Sequence, residues 1–206
     1  FGEGNPQPLF LMKDCVIESI LPMSENKHLK LKVNFEGKSV YVLYFRMSTD
    51  RFIYPVGSRV DILANLEINA FRENVSIAIR LKDIRPAGFS DEKFGNAWYF
   101  YQKIRRGEVV PQKVLAISVP TLAELRGLYK LLRSKGGSRN HLDLFYLEGV
   151  AAGMNYCKYR LVLDIFEELG LITVAPDGSS IVMNPVDKVN LEESEILTGL
   201  RRAAGM

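Results

Sequence analysis

The side chains able to do chemistry are few. His28 and His141 are the only histidines, and Cys15 and Cys157 the only cysteines, in a chain of 206 residues. Neither histidine stands in an HExxH, HxE…CxxC or dense Asp/His pattern, so no metal-ligand set is legible. No GxSxG elbow and no GxxxxGK(S/T) phosphate loop occurs. Gly2-Glu3-Gly4 is too short, and lacks the preceding strand, to count as a dinucleotide fingerprint. This chain is therefore expected to be inactive as an enzyme by itself. The two lone cysteines give no disulfide framework and suit a reducing cytoplasm. Cys157 reads as a small buried side chain.

The chemistry that remains is basic and aromatic. Lys30, Lys32, Arg80 and Lys82 alternate with apolar residues, Lys27, Phe71 and Arg72 fall in connecting loops, and Tyr41 stands opposite Val40 and Val42. Basic side chains contact phosphates, and aromatic rings offer stacking platforms of about 1–3 kcal/mol per base. The plainer reading is that alternating lysines are simply the wet face of a half-buried strand, and Asp61 and Glu67 nearby offset their charge. A second cluster, Arg126, Lys130, Arg133, Lys135, Arg139, Lys158 and Arg160 against Asp143 and Glu148, gives residues 126–160 a net charge of +5. The run Trp98-Tyr99-Phe100-Tyr101 lies near Lys103, Arg105 and Arg106. Four consecutive aromatics must face all round a helix, so at least two of them belong to a core or an interface.

These residues need elements to position them. Composition is ordinary for a globular protein: 47% hydrophobic, 25% charged and a net charge of +3, which argues against global disorder. No apolar run reaches the roughly 18 residues needed to span a bilayer, and no secretory signal opens the chain, so no membrane partner is expected. Residues 1–10, with two Gly and two Pro, read as a linker. The chain opens on Phe1 rather than Met, as a piece of a longer protein would.

Residues 11–86 read as β. Strands are expected at 13–20, 28–35, 39–46, 58–68 and 75–84. Leu29, Leu31, Val33 and Phe35 alternate with His28, Lys30, Lys32 and Asn34; Val60, Ile62, Ala64, Leu66 and Ile68 oppose Asp61, Asn65 and Glu67. Residues 48–56 interrupt the pattern as a short helix or irregular loop. Five strands with a break after the third are the layout of an OB-fold, a Greek-key barrel whose second and third strands and flanking loops form the ligand face. A small β-sandwich fits the same pattern.

Residues 87–206 change character. A helix is expected over 91–106 and a strand or extended segment over 112–119. Further helices follow from Pro120-Thr121 to Lys135, over 141–153 and over 156–169. Asp177-Gly178 turns a hairpin between 171–175 and 180–183, and a last helix covers 189–204. Three helices followed by a hairpin make a winged helix-turn-helix, at about 120–185. In such a motif the third helix is the usual groove reader, and its exposed start would present Tyr156, Lys158, Tyr159 and Arg160. Winged helices also serve as protein-docking or regulatory modules, and Asp164, Glu167 and Glu168 would repel phosphate. The expected architecture is α+β: a five-stranded OB-fold barrel followed by a mixed α/β domain containing a winged helix-turn-helix.

The segment Phe1-Gly2-Glu3-Gly4-Asn5-Pro6-Gln7-Pro8-Leu9-Phe10 resembles the segment that, in RecJ-type single-stranded-DNA-specific exonucleases, joins the catalytic portion to an OB domain. The resemblance continues through Lys27-His28-Leu29-Lys30-Leu31, Leu66-Glu67-Ile68-Asn69, and Leu81-Lys82-Asp83-Ile84-Arg85-Pro86. The second half, most clearly Val162-Leu163-Asp164-Ile165-Phe166-Glu167-Glu168-Leu169-Gly170-Leu171-Ile172, is similar to the extra C-terminal domain of RecJ proteins from Firmicutes-like bacteria. The resemblance implies the non-catalytic end of a 5′-to-3′ exonuclease of recombination and repair. Its Mn or Mg ions would sit in a catalytic domain whose DHH motif this sequence lacks, leaving no cofactor in this chain. Implied partners are single-stranded DNA, the catalytic core and the single-strand-binding protein. By position, the resemblance points to Lys30, Lys32, Tyr41, Phe71, Arg72 and Arg80 as DNA contacts.

Overall fold

A computed structural model describes residues 7–71, 74–138, 140–146, 153–178, 180–186 and 188–206, without the side chains at 69–71, 74 and 75. The chain divides into two compact units, residues 1–89 and 90–206.

The first unit is built from β1 (Phe10–Met23), β2 (His28–Phe35), β3 (Lys38–Phe45), β4 (Arg59–Phe71) and β5 (Asn74–Pro86). They close into a barrel in the order β1-β2-β3-β5-β4. Neighbours are antiparallel except β3 and β5, which run parallel with Val42 opposite Ile79 and Leu43 opposite Arg80. This closure makes an OB-type barrel rather than a two-sheet sandwich. The period-two pattern of β2 places Leu29, Leu31 and Val33 in the core, where Ile17, Val42, Val60, Ile62 and Ala64 join them. Each such aliphatic side chain contributes about 1.5–3 kcal/mol on burial.

β1 pairs with both β2 and β4, which it manages by bending. Its register shifts between Met12 and Cys15 on one side and between Ile17 and Ser19 on the other. Asp14, at the first bend, has a left-handed φ of 58°, and its N–H donates to Asp61 Oδ1 at 2.9 Å. Asp61 and Asn65, expected on the wet face of β4, are in fact buried. The bent strand and the entry segment supply their partners, since Asn65 Nδ2 donates to Pro8 O at 2.9 Å. The β4–β5 hairpin runs past the barrel, so Ile68 and its cross-strand partner Ile77, both expected inside, are 79% and 70% exposed. Residues 48–56 are turns and extended chain rather than helix; there Phe52 packs edge-on between Tyr44 and Tyr54.

The second unit contains α1 (Asp91–Arg105), α2 (Gln112–Ser118), α3 (Leu122–Lys135), α4 (His141–Leu144), α5 (Tyr156–Glu168), β6 (Ile172–Val174), β7 (Ile181–Met183), a 3-10 turn (Leu191–Glu193) and α6 (Glu195–Ala204). Residues 112–118 form a helix, not the expected extended segment. Pro111 at its N-cap has a φ of −56°, already suited to helix entry, and Gln112 Nε2 donates to Ala204 O at 2.8 Å, tying α2 to the end of α6. A capping box starts α3: the Thr121 side chain accepts from Glu124 N, and the Glu124 carboxylate accepts from Thr121 N. Gly136, at a φ of 69°, ends it.

α5 is the central element, packed against α1, α2, α6 and β6. α3, α4, α5, β6 and β7 follow one another along the chain, and Ser138 adds a bridge to Ile181 on β7. Residues 147–152, in the middle of the expected helix over 141–153, lie outside the described residues, as does Arg139 of the basic cluster. Among the described residues no helix is long and apolar enough to cross a membrane.

Candidate nucleic-acid interface

The outer face of β2 and β3 gathers the aromatic and basic side chains of the first unit. Cross-strand register sets His28 opposite Phe45, Lys30 opposite Leu43 and Lys32 opposite Tyr41. Tyr41 and Phe45 remain 48% and 38% exposed. The Lys30 ammonium sits 4.2 Å from the Tyr41 ring centroid. Arg80, brought alongside Leu43 by the parallel β3–β5 pairing, lays its guanidinium 4.8 Å from the Phe45 ring centroid. The His28 ring meets Phe45 edge-on at 5.0 Å. The result is a row of two part-exposed rings, each with a cation over it, which suits base stacking with phosphate contacts at the margin.

Carboxylates temper the charge of this face. Lys32 pairs with Glu18 at 3.2 Å and Arg80 with Glu67 at 2.7 Å. The Ser39 hydroxyl, with Lys32 after it, holds the Glu18 carboxyl below its ordinary value. Ion pairs as exposed as these are screened by solvent and hold weakly, so a phosphate can compete for either cation.

The structure thus brings Lys30, Lys32, Tyr41 and Arg80 together. Lys27 lies in the adjoining β1–β2 turn, exposed and 3.1 Å from Glu25. In that turn Ser24, Glu25 and Asn26 all take left-handed φ values. Lys82 is exposed on β5, beyond the two residue pairs through which β3 and β5 meet. The Phe71 side chain and Arg72 lie outside the described residues. Sequence reasoning missed Phe45 and the ring of His28 as members of the face. Both faces of the 39–46 segment are apolar or aromatic, which hides the outer one, but counting in twos from Tyr41 reaches Phe45.

Lys158 and Arg160, in the second unit, have internal partners. Lys158 Nζ meets Glu124 Oε1 at 2.9 Å. The Arg160 guanidinium lies 4.9 Å from the Tyr101 ring centroid and 5.7 Å from that of Trp98. Tyr156 and Tyr159 are buried, so the expectation that the start of α5 is exposed is corrected: Phe94 and Trp98 of α1 pack on Tyr156, and Phe145 packs on both tyrosines. Of the aromatic run, Tyr101 is buried and its hydroxyl donates to Asp164 Oδ1 at 3.1 Å, while Arg105 donates to the same oxygen at 2.8 Å. Burial raises the Asp164 carboxyl above its ordinary value, against the pull of Arg105. Asp164 is therefore an internal anchor for α1 rather than a charge facing a ligand.

Both cysteines are buried. Burial, with Asp61 and Asp14 adding to it, pushes the Cys15 thiol up to about 11, and burial raises Cys157 as well; neither is a reactive thiol. Among the described residues no three His, Cys, Asp or Glu side chains come together to hold a metal ion.

Comparison with known proteins bears on the first unit. The family model of the RecJ OB domain matches residues 1–83. Two structures of RecJ from Thermus thermophilus, one in complex with Mg2+ and one with Mn2+, match at 28% identity and a TM-score of 0.33, each over 43% of this chain. The matched part is 13% and 12% of those RecJ chains, so this chain spans a small share of their length. No curated protein matches. The closed barrel and the family match over residues 1–83 agree: the first unit is similar to the RecJ OB domain.

Proposed function

We propose that this chain binds single-stranded DNA through the outer face of its OB barrel and serves as the non-catalytic, DNA-gripping part of a RecJ-like exonuclease of recombination and repair. The observation that carries the reading is the pair of exposed rings, Tyr41 and Phe45, flanked by Lys30 and Arg80 on one face of a RecJ-type OB domain. Rings accept any base on their π faces, so binding is largely independent of sequence. Lys27, Lys32 and Lys82 extend the phosphate path at the margins. Cleavage belongs to a metal-bearing catalytic domain elsewhere in such a protein, which works in the cytoplasm on 5′ ends.

Fluorescence anisotropy of the full chain with a labelled oligonucleotide, over a salt series, tests this. Two or three phosphate contacts on this face contribute about 1.4 to 2.1 to the magnitude of the log–log salt slope, at roughly 0.7 per contact for a single strand. Absence of binding at low salt, or binding indifferent to salt, would contradict the reading. Adding Mn2+ to the same mixture is expected to leave the oligonucleotide intact.

A further inference from the structure

Five of the basic residues of 126–160 fall into two sets in the folded unit. Lys158 and Arg160 are engaged internally, on Glu124 and on the α1 aromatics. Arg126, Lys130 and Arg133 instead stand exposed on α3. Spacings of four and three residues put them on one helical face, and at 1.5 Å per residue the row from Arg126 to Arg133 is about 10.5 Å long. The row lines a cleft of about 970 Å³ whose other wall, the chain around Val186 to Glu193, brings Lys188. Among the described residues none of these four cations has an ion pair. Among the described residues the acids of that far wall are Glu192, 3.9 Å from Arg201, and Glu193; Asp187, beside Lys188 in the sequence, lies outside them. Tyr129 lies within the row, its ring fixed edge-on against buried Phe166 at 5.8 Å.

Unpaired cations sharing one cleft repel each other and focus a positive potential into it. A single phosphate group would need them to converge on a point. Their linear arrangement suits a linear polyanion, and about 10 Å covers roughly three phosphates of one strand at 3.4 Å of rise each. We propose that this cleft is a second nucleic-acid site, in which Arg126, Lys130, Arg133 and Lys188 hold the sugar–phosphate backbone without reading sequence. The site is distinct from the OB face and does not depend on it. It also moves DNA contact in the second unit from the covered start of α5 to the open face of α3.

The test uses the full chain, labelled single-stranded and duplex oligonucleotides, and a salt series. The combined variant Arg126→Gln, Lys130→Gln, Arg133→Gln, Lys188→Gln is expected to bind more weakly, and its log–log salt slope to shrink by about 2.8–3.6, at 0.7–0.9 for each of the four lost contacts. Lys130→Gln alone is expected to shrink it by about 0.7–0.9. Arg126→Lys with Arg133→Lys keeps the charge and is expected to keep the slope. Unchanged affinity and slope in both Gln variants, with the α1–α5 packing intact by Trp98 fluorescence, would overturn the proposal. So would a loss of binding confined to a phosphoserine peptide probe. Tyr41→Ala separates the two sites: it is expected to weaken single-strand binding at unchanged slope. If it has no effect while the Gln variants do, the OB reading fails and the cleft stands.

Discussion

At the scale of single residues, the OB face rests on rings more than on charge. Lys32 and Arg80 each meet a carboxylate, whereas Tyr41 is supported by Lys30 with its ring open. Tyr41→Ala is therefore expected to cost about 1–3 kcal/mol of single-strand affinity, roughly five-fold or more, measured by anisotropy at fixed salt. Glu18→Gln removes the partner of Lys32 and is expected to tighten binding several-fold at low salt, with the gain disappearing as salt screens the face. His141 is half-buried in the second unit. Nδ1–H donates to Gly178 O at 3.0 Å, which leaves Nε2 to accept from the Tyr156 hydroxyl at 2.9 Å. Burial lowers the His141 value from its ordinary 6.5; the Gly178 carbonyl opposes this, Arg160 adds to it and Asp143 opposes it. A histidine lowered in the folded state binds fewer protons there than when unfolded. Its contribution is thus complete above about 6.5 and is lost as pH falls through the folded value. Urea unfolding followed by the single tryptophan, Trp98, is expected to show stability falling between about pH 7 and pH 5, and His141→Gln to flatten that fall.

At the scale of elements, legibility followed how many faces an element buries. β2 has one dry and one wet face, so its alternation located both its bounds and Lys30 and Lys32. α5 buries nearly its whole circumference, and its sequence shows this only as a long apolar run. Tyr156, Tyr159 and the stem of Lys158 then looked like an exposed reading edge, because the α1 rings that pack on Tyr156, Phe94 and Trp98, come from distant sequence. α2 was hidden for another reason. Val114, Ile117 and Val119 favour strand locally, while tertiary contacts with α5 and α6 decide for helix. The start of α3 was legible because a capping box is a local signal. Thr121→Ala is expected to lower stability by about 1 kcal/mol, read as a shift in the urea midpoint at unchanged m-value. Gly137→Ala is expected to cost more, about 2–3 kcal/mol. A Cβ there would stand 2.3 Å from Ile181 O, at a φ of +109°, and would push apart the Ser138–Ile181 bridge that ties the hairpin to the end of α3.

At the scale of the whole molecule, net charge says little and its placement says much. A chain of net charge +3 keeps one modest, carboxylate-balanced face on its barrel and one unpaired cationic row on α3. The first is suited to stacking bases and the second to holding phosphates. The OB assignment was legible because strand spacing and the RecJ-like segments point the same way. The α3 cleft was not, because its far wall comes from residues 186–193, more than fifty positions away in the chain. The central claim, that single-stranded DNA lies on the β2–β3 face, is tested most directly by ultraviolet cross-linking of the full chain to an oligothymidylate, with the linked peptides identified by mass spectrometry. The account predicts that cross-links at Tyr41 and Phe45 dominate and are lost on adding unlabelled single strand. Efficient cross-linking that leaves both residues unmodified would contradict it.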